Sequence, residues 1–89
     1  MKAIVYSKSK DAQGLDTCMY CVKARMKLKK EKIPFTEVEI EMEDENKRKE
    51  LARTLGIDNI RTVPQIVIDD EYIGGYDALE KWIESRKNK

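Results

Sequence analysis

The two cysteines of the chain, Cys18 and Cys21, are separated by two residues and stand where a helix is predicted to begin. At a helix N-terminus, unpaired N–H groups and the helix dipole stabilise a thiolate, which is the form of cysteine that attacks a disulfide. A second cysteine one turn further along can displace the mixed disulfide that results. The spacing therefore predicts thiol–disulfide exchange, with Cys18 as the exposed nucleophile and Cys21 as the more buried resolving thiol.

Two other interpretations of the cysteine pair stay open. The pair could form half of a zinc site, but a closed site needs four nitrogen or sulfur ligands and the chain has two cysteines and no histidine. The two thiols could also be inert and buried. A disulfide-stabilised framework of this length would carry about four to eight cysteines, and catalysis by a histidine base is excluded. Redox chemistry without a bound metal is therefore favoured.

Length and composition indicate one globular domain that spans residues 1–89. Charged residues make up 39% of the chain, yet its net charge is only +1, and hydrophobic residues make up 40%. Neither disorder nor bulk attraction to nucleic acid or a membrane surface is expected from that balance. No apolar run approaches the ~18–20 residues of a membrane span, and the N-terminal apolar stretch is too short for a signal peptide. The expected location is the cytoplasm.

Hydrophobic periodicity and turn residues predict seven secondary-structure elements. The predicted strands are 2–7, 35–40, 64–68 and 71–73, and the predicted helices are about 18–32, 44–55 and 76–87. Thr17 is the predicted N-cap of the first helix, after a loop over residues 8–16. Gly56 is predicted to end the second helix.

The first predicted helix has one apolar face. Cys21, Ala24 and Leu28 fall at i, i+3 and i+7, and Val22 and Met26 are expected to widen that face. The basic residues of this helix are expected to lie largely in solvent; they are Lys23, Arg25, Lys27, Lys29 and Lys30. Parallel strands need a helical crossover, whereas the final hairpin adds antiparallel strands. The predicted fold is therefore α/β, a mixed sheet covered by helices in the order β-α-β-α-β-β-α.

Two further segments could contribute to a site. Thr62-Val63-Pro64 leads into the third strand, where proline is either an ordinary strand start or part of a cis bond that brings the Val63 backbone beside the thiols. Ile73-Gly74-Gly75-Tyr76-Asp77 precedes the last helix. Its glycines form either an ordinary turn or a close approach to a carboxylate held by the helix N-terminus.

The chain resembles the glutaredoxin family over its whole length. Three motifs carry the resemblance, in the order and at the separations typical of that family: Cys18-Met19-Tyr20-Cys21, Thr62-Val63-Pro64-Gln65-Ile66 and Ile73-Gly74-Gly75-Tyr76-Asp77. The short length and the last motif are most similar to the dithiol glutaredoxins of bacteria and phages. The resemblance implies a minimal thioredoxin fold, in which three helices flank a four-stranded mixed sheet.

The same resemblance implies glutathione as a co-substrate, with no tightly bound cofactor. The cysteine backbone of glutathione would pair with Val63 before a cis Pro64, and the γ-glutamyl carboxylate would meet the start of the last helix. The residues expected to bind glutathione are Tyr20, Arg61, Thr62, Val63, Pro64, Gly75, Tyr76 and Asp77. Lys8, Lys10 and Arg61 are the candidates for binding the glycine carboxylate.

By resemblance, the chain is expected to be a monomer that reduces glutathione mixed disulfides and protein disulfides, with ribonucleotide reductase as one candidate substrate. One alternative is a redoxin that depends on thioredoxin reductase, although the only tryptophan, Trp82, is far along the chain from the cysteine motif. Another alternative is an iron–sulfur carrier, in which two chains and two glutathiones share a cluster. The chain departs from the family pattern at Met19, where members usually have proline, and in its longer loop before Cys18.

Overall fold

The computed structural model of this protein describes residues 1–9 and 18–87. The elements are β1 (Ala3–Lys8), α1 (Met19–Lys30), β2 (Phe35–Ile40), α2 (Glu45–Leu55), β3 (Gln65–Ile68), β4 (Glu71–Gly74) and α3 (Tyr76–Lys87). Their order and number confirm the prediction, and Lys8 belongs to β1 rather than to the following loop. The rest of the predicted loop, including Lys10, lies outside the described residues, as does Thr17.

The four strands form one mixed sheet in the order β2-β1-β3-β4. Strand β1 is parallel to β2 and antiparallel to β3, and β4 is antiparallel to β3. The parallel pair requires α1 as its crossover, whereas a two-residue turn joins β3 to β4. Three helices accompany the sheet, so the structure confirms the predicted thioredoxin fold.

All four residues of β3 are buried, which indicates that both faces of the sheet are covered at this strand. The main core lies between the sheet and helices α1 and α3; its buried members are Ala3, Val5, Ala24, Leu28, Ile33, Ile66, Ile68, Leu79 and Ile83. A smaller core beside α2 contains Ile40, Ala52 and Ile60. This second core also packs against Val63, which matters for the site.

Helix α1 buries Cys21, Ala24 and Leu28, as predicted. Met26, in contrast, is 64% exposed, so its placement on the buried face was wrong. At 3.6 residues per turn, Met26 lies about 170° around the helix from the centre of that face. Arg25 was also misplaced, because it is half-buried and pairs with Glu37 of β2. Arg25 lies beside the buried face, so its guanidinium reaches the sheet.

Two left-handed residues end the first two helices. Gly56, with φ 75°, stops α2 as predicted, and the Ile57 N–H donates back to the Ala52 carbonyl at 2.9 Å. Lys32, with φ 59°, occupies the corresponding position after α1, where the Ile33 N–H donates to the Leu28 carbonyl at 2.9 Å. Helix α1 consequently ends at Lys30, two residues earlier than predicted. Among residues 1–9 and 18–87, no helix is long and apolar enough to span a bilayer.

Candidate active site

Cys18 is the N-cap of α1, with extended backbone angles of φ −98° and ψ 99°. Its Sγ accepts a hydrogen bond from the backbone N–H of Cys21 at 3.2 Å. The predicted N-cap, Thr17, was therefore wrong by one position. The physical reason is that the sulfur of Cys18 takes the acceptor role that a hydroxyl or carboxylate oxygen usually fills at a helix start.

The two cysteines form a disulfide, and their Cα atoms are 5.2 Å apart. Cys21 is fully buried, whereas Cys18 is half-buried. This difference follows from the helix, because Cys21 lies on the buried face of α1 and Cys18 lies at its open end. An attacking reagent can consequently reach Cys18 more easily than Cys21.

The segment before β3 approaches the disulfide from the side of the sheet. The Val63–Pro64 peptide bond is cis, as the resemblance implied. The Val63 carbonyl oxygen lies 3.9 Å from Cys18 Sγ. In the disulfide, this sulfur carries no proton, so the approach is a van der Waals contact. The Val63 side chain packs into the second core and Pro64 is fully buried, so both sides of this bond are anchored.

A groove of about 460 Å³ opens beside these groups. Its lining residues are Tyr20, Thr62, Val63, Pro64, Gly75, Tyr76, Asp77 and Ala78. Seven of them belong to the set that sequence analysis assigned to glutathione. Arg61, the eighth member of that set, is exposed and does not line the groove. Ala78 was missed because it lies one residue beyond the glycine motif.

One end of the groove is formed by the first turn of α3. The Leu79 N–H donates to the Gly75 carbonyl at 3.0 Å, which is the first hydrogen bond of this helix. The N–H groups of Tyr76, Asp77 and Ala78 therefore precede the intrahelical ladder. Such groups, together with the helix dipole, favour an anion. This end of the groove is suited to a carboxylate.

The two glycines before α3 differ in whether their backbone conformation and surroundings would tolerate a side chain. Gly74 has φ +123°, a conformation that side chains rarely adopt, and a Cβ there would lie 3.1 Å from the Ala78 Cβ. A Cβ at Gly75 would lie 3.6 Å from the Pro64 carbonyl oxygen, which is an ordinary contact. The fold itself therefore requires glycine at Gly74, whereas it accommodates a Cβ at Gly75.

Two tyrosines flank the groove. The rings of Tyr20 and Tyr76 have centroids 6.0 Å apart and are tilted by 40°. The Lys23 Nζ lies 5.2 Å from the centre of the Tyr20 ring, a cation–π distance. Tyr20 is nevertheless 56% exposed, so its ring is available to a bound molecule.

Two polar residues near the groove were missed by sequence analysis. Gln65 is only 5% exposed, and its Nε2 donates to the Thr62 carbonyl at 2.8 Å. The Tyr72 hydroxyl donates to Gln65 Oε1 at 2.5 Å. Burial raises the pKa of Tyr72. A glutamine within an otherwise apolar, buried strand is a signal of such partners, because buried amides are normally hydrogen-bonded.

Three basic residues are the predicted candidates for binding the glycine carboxylate of glutathione, and neither of the two that the structure describes lines the groove. Lys8 is exposed at the end of β1, and Arg61 is exposed just before the groove. Lys10 lies outside the described residues. The assignment among these three residues stays a prediction.

Comparisons with known proteins identify the family of this chain. A family-level profile described as glutaredoxin matches residues 3–73. Glutaredoxin 1 of Salmonella typhimurium is 37% identical over 79 residues, which cover 84% of this chain and 90% of that protein. Glutaredoxin 1 of Rickettsia conorii is 34% identical over 65 residues, which cover 73% of this chain and 62% of the relative.

A solved structure shares the architecture as well. The crystal structure of glutaredoxin 1 from Francisella tularensis, complexed with cacodylate, superposes with a TM-score of 0.71 at 32% sequence identity. The superposition covers 99% of this chain and 98% of that one. With a matched profile over most of its length and relatives above 30% identity, this chain belongs to the glutaredoxin family.

Proposed function

We propose that this chain is a glutathione-dependent thiol–disulfide oxidoreductase that reduces protein disulfides and glutathione mixed disulfides. Membership of the glutaredoxin family and the Cys18–Cys21 pair support thiol–disulfide exchange. One observation carries the glutathione assignment. A single groove joins the Val63 backbone, 3.9 Å from the Cys18 sulfur, to the open N-terminus of α3.

The first chemical step uses Cys18 in its thiolate form. The thiolate attacks one sulfur of the substrate disulfide, a new S–S bond forms, and the other substrate sulfur leaves as a thiolate that takes up a proton. The Cys21 N–H, which points at Cys18 Sγ across 3.2 Å, stabilises the negative charge together with the N-terminus of α1. Cys18 is therefore proposed as the nucleophile.

The second step can follow two routes. In one route, the Cys21 thiolate attacks Cys18 Sγ in the mixed disulfide. The substrate sulfur that was bound to Cys18 leaves as a thiolate and takes up a proton, and the disulfide present in this structure forms. In the other route, the thiolate of free glutathione attacks the glutathione sulfur of a mixed disulfide on Cys18, so that oxidised glutathione forms, the S–S bond to Cys18 breaks and Cys18 leaves as a thiolate. Substrates with an intramolecular disulfide, with ribonucleotide reductase as one candidate, would need the first route.

Glutathione fits the groove by its chemistry. Its extended backbone can pair with the N–H and C=O of Val63 as an added strand would. That position would put the glutathione sulfur next to Cys18. Its γ-glutamyl carboxylate would then face the N–H groups of Tyr76, Asp77 and Ala78, and the exposed Tyr20 ring would cover the sulfur.

The test is a coupled assay with NADPH, glutathione reductase, glutathione and the mixed disulfide of glutathione with 2-mercaptoethanol. We expect NADPH oxidation that depends on both this protein and glutathione. A parallel assay replaces glutathione and its reductase by thioredoxin reductase, and we expect little turnover there. Turnover only with thioredoxin reductase would overturn the glutathione assignment, and no turnover in either assay would overturn the oxidoreductase assignment.

A further inference from the structure

A second groove lies along the outward face of α1, next to the proposed glutathione groove. Its volume is about 410 Å³, and its lining residues are Lys23, Met26, Lys27, Lys30 and Tyr76. We refer to it as the lysine groove. Tyr76 belongs to both grooves, so a chain that leaves the glutathione groove over this ring enters the lysine groove.

The lysine groove is positively charged with little local compensation. Helix α1 contains five basic residues and no acidic one. Among the residues that the structure describes, no salt bridge involves Lys23, Lys27 or Lys30. The nearby Glu31 carboxylate accepts from Lys87 Nζ at 2.8 Å. That bond, with smaller contributions from Lys27 and Lys30, lowers the pKa of Glu31, whose negative charge therefore already has its own partner.

The two basic residues of α1 outside the lysine groove differ from the groove lysines in their surroundings. Arg25 is paired with Glu37 of β2, and Lys29 does not line the groove. The lysines of the groove thus form a one-sided stripe rather than an evenly charged helix. Lys29 provides an internal comparison, because it lies on the same helix and carries the same charge.

Exposed apolar side chains accompany this charge. Met26, inside the groove, is 64% exposed, and Met19, beside the nucleophile, is 68% exposed. Methionine adapts its shape to varied partners. A surface of this kind favours a segment that combines carboxylates with apolar side chains over a purely ionic ligand.

We propose that the lysine groove docks an acidic segment of the protein substrate, next to the disulfide that Cys18 attacks; this inference rests on the proposed function. Lys23 and Lys30 are seven residues apart, so the stripe runs about 10 Å along α1. This length accommodates about three residues of an extended peptide. Because the carboxylates of glutathione are assigned to the first groove and its surroundings, the lysine groove would select among protein substrates only.

Solvent-exposed ion pairs at the rim of an interface are individually weak and act mainly on association. Three such pairs together give an expected preference of about tenfold in kcat/KM for an acidic substrate at low salt. The preference should fall toward unity at about 0.5 M NaCl, where exposed charges are screened within a few ångströms.

The experiment compares two synthetic peptides of equal length, each closed by one intramolecular disulfide. One peptide has aspartate, glutamate and leucine beside its cysteines, and in the other peptide asparagine and glutamine replace the acids. Both are reduced by the wild-type protein and by the variants Lys27→Glu, Lys30→Glu and Lys29→Glu. The glutathione mixed disulfide of 2-mercaptoethanol is assayed in parallel.

We expect the wild-type preference for the acidic peptide to disappear in Lys27→Glu and in Lys30→Glu and to persist in Lys29→Glu. Turnover of the small mixed disulfide should stay unchanged in all three variants. Equal rates for the two peptides in the wild-type protein, or the same loss in Lys29→Glu as in Lys27→Glu, would overturn the inference. If the wild-type protein failed to reduce the glutathione mixed disulfide of 2-mercaptoethanol, that result would instead contradict the proposed function.

Discussion

Cys18 Sγ and the Val63 carbonyl oxygen lie 3.9 Å apart, although the two residues are 45 positions apart in the chain. The contact is consistent with the sheet topology, because β1 and β3 are antiparallel neighbours and the segment that leads into β3 lies at the same edge of the sheet as the C-terminal end of β1. The helix that starts at Cys18 and the groove that starts at Val63 therefore share one corner of the fold. The predictions below test which residues at this corner act on sulfur and which ones position the backbone.

The first prediction concerns the two cysteines. Cys18→Ser should abolish all activity, because the nucleophile is lost. Cys21→Ser should abolish reduction of a peptide with an intramolecular disulfide but keep reduction of a glutathione mixed disulfide, since free glutathione can complete that cycle. Both activities are measured with the same NADPH-coupled system.

A labelling experiment provides the control for this assignment. In the reduced protein, iodoacetamide near neutral pH should modify Cys18 before Cys21, because Cys21 is fully buried in the structure. Mass spectrometry of digested protein locates the label. Faster modification of Cys21, or residual turnover by Cys18→Ser, would contradict the division of roles.

The second prediction separates the two glycines before α3. Gly74→Ala should destabilise the fold by about 1–3 kcal/mol, because alanine is strained at positive φ and the neighbouring Ala78 Cβ is close. Gly75→Ala should be nearly neutral, since its Cβ would make only an ordinary contact. Urea denaturation measures both changes.

Gly75→Val tests the same turn for binding. A Cβ at Gly75 would lie 3.6 Å from the Pro64 carbonyl oxygen, and both residues line the groove. The additional methyl groups of valine are expected to narrow the groove, so the KM for glutathione should rise while reduction of the protein by dithiothreitol stays unchanged. Gly75→Ala is the matched control with an intact groove. If valine slowed both reactions equally, the glycine would serve only the turn.

The third prediction uses the two left-handed helix ends. Lys32→Gly should stabilise the protein by about 1 kcal/mol, because lysine at φ 59° carries a steric cost that glycine lacks. Gly56→Ala should destabilise it by a similar amount at φ 75°. Each change corresponds to a shift of about 4–8 °C in Tm for a domain of this size.

The essential result is that Lys32→Gly and Gly56→Ala change the free energy of unfolding in opposite directions. Lys29→Gly, inside α1, should destabilise by about 1 kcal/mol and controls for glycine at an exposed lysine. If Lys32→Gly also destabilised the protein, the backbone conformation after α1 would not be left-handed in solution.

Sequence patterns predicted the element order and the buried face of α1, because both depend on local periodicity. The resemblance to the glutaredoxin family, which three short motifs carry, implied seven of the eight groove residues. Met26 was misplaced because its two-residue separation from Leu28 corresponds to about 200° around a helix, which puts the two side chains on opposite faces. Arg25 was misplaced because its partner, Glu37, belongs to another element. The hydrogen bonds of Gln65 could not be predicted, since they depend on the β3–β4 register and on the path of the loop.

The fourth prediction tests those hydrogen bonds. Tyr72→Phe removes the hydroxyl that donates to Gln65, and Gln65 in turn holds the Thr62 carbonyl at the wall of the groove. We expect a loss of about 1–2 kcal/mol in the free energy of unfolding, since a buried acceptor is left without its donor. The KM for glutathione should rise about threefold, with kcat unchanged, if Thr62 shifts by a fraction of an ångström.

Tyr6→Phe is the matched control, because Tyr6 packs against the second core and does not line the groove. It should leave the KM for glutathione unchanged. A Tyr72→Phe protein with a normal KM and reduced stability would show that the bond supports the fold but does not position the groove.

The pH dependence of stability gives an independent check on Tyr72. Burial raises its pKa above the usual value of 10.0, so the neutral hydroxyl is favoured in the folded state. The stabilisation from this hydroxyl is fully present below the pKa of an unfolded tyrosine, about 10, and is lost as the pH rises through the higher folded pKa.

The difference in unfolding free energy between the wild-type protein and Tyr72→Phe should therefore be constant from about pH 7 to 9 and should shrink above about pH 10. Urea denaturation of both proteins across that range measures it, and the other tyrosines and lysines cancel in the difference. A gap that stayed constant up to about pH 11, while both proteins remained folded, would contradict the raised pKa of Tyr72 in the folded state.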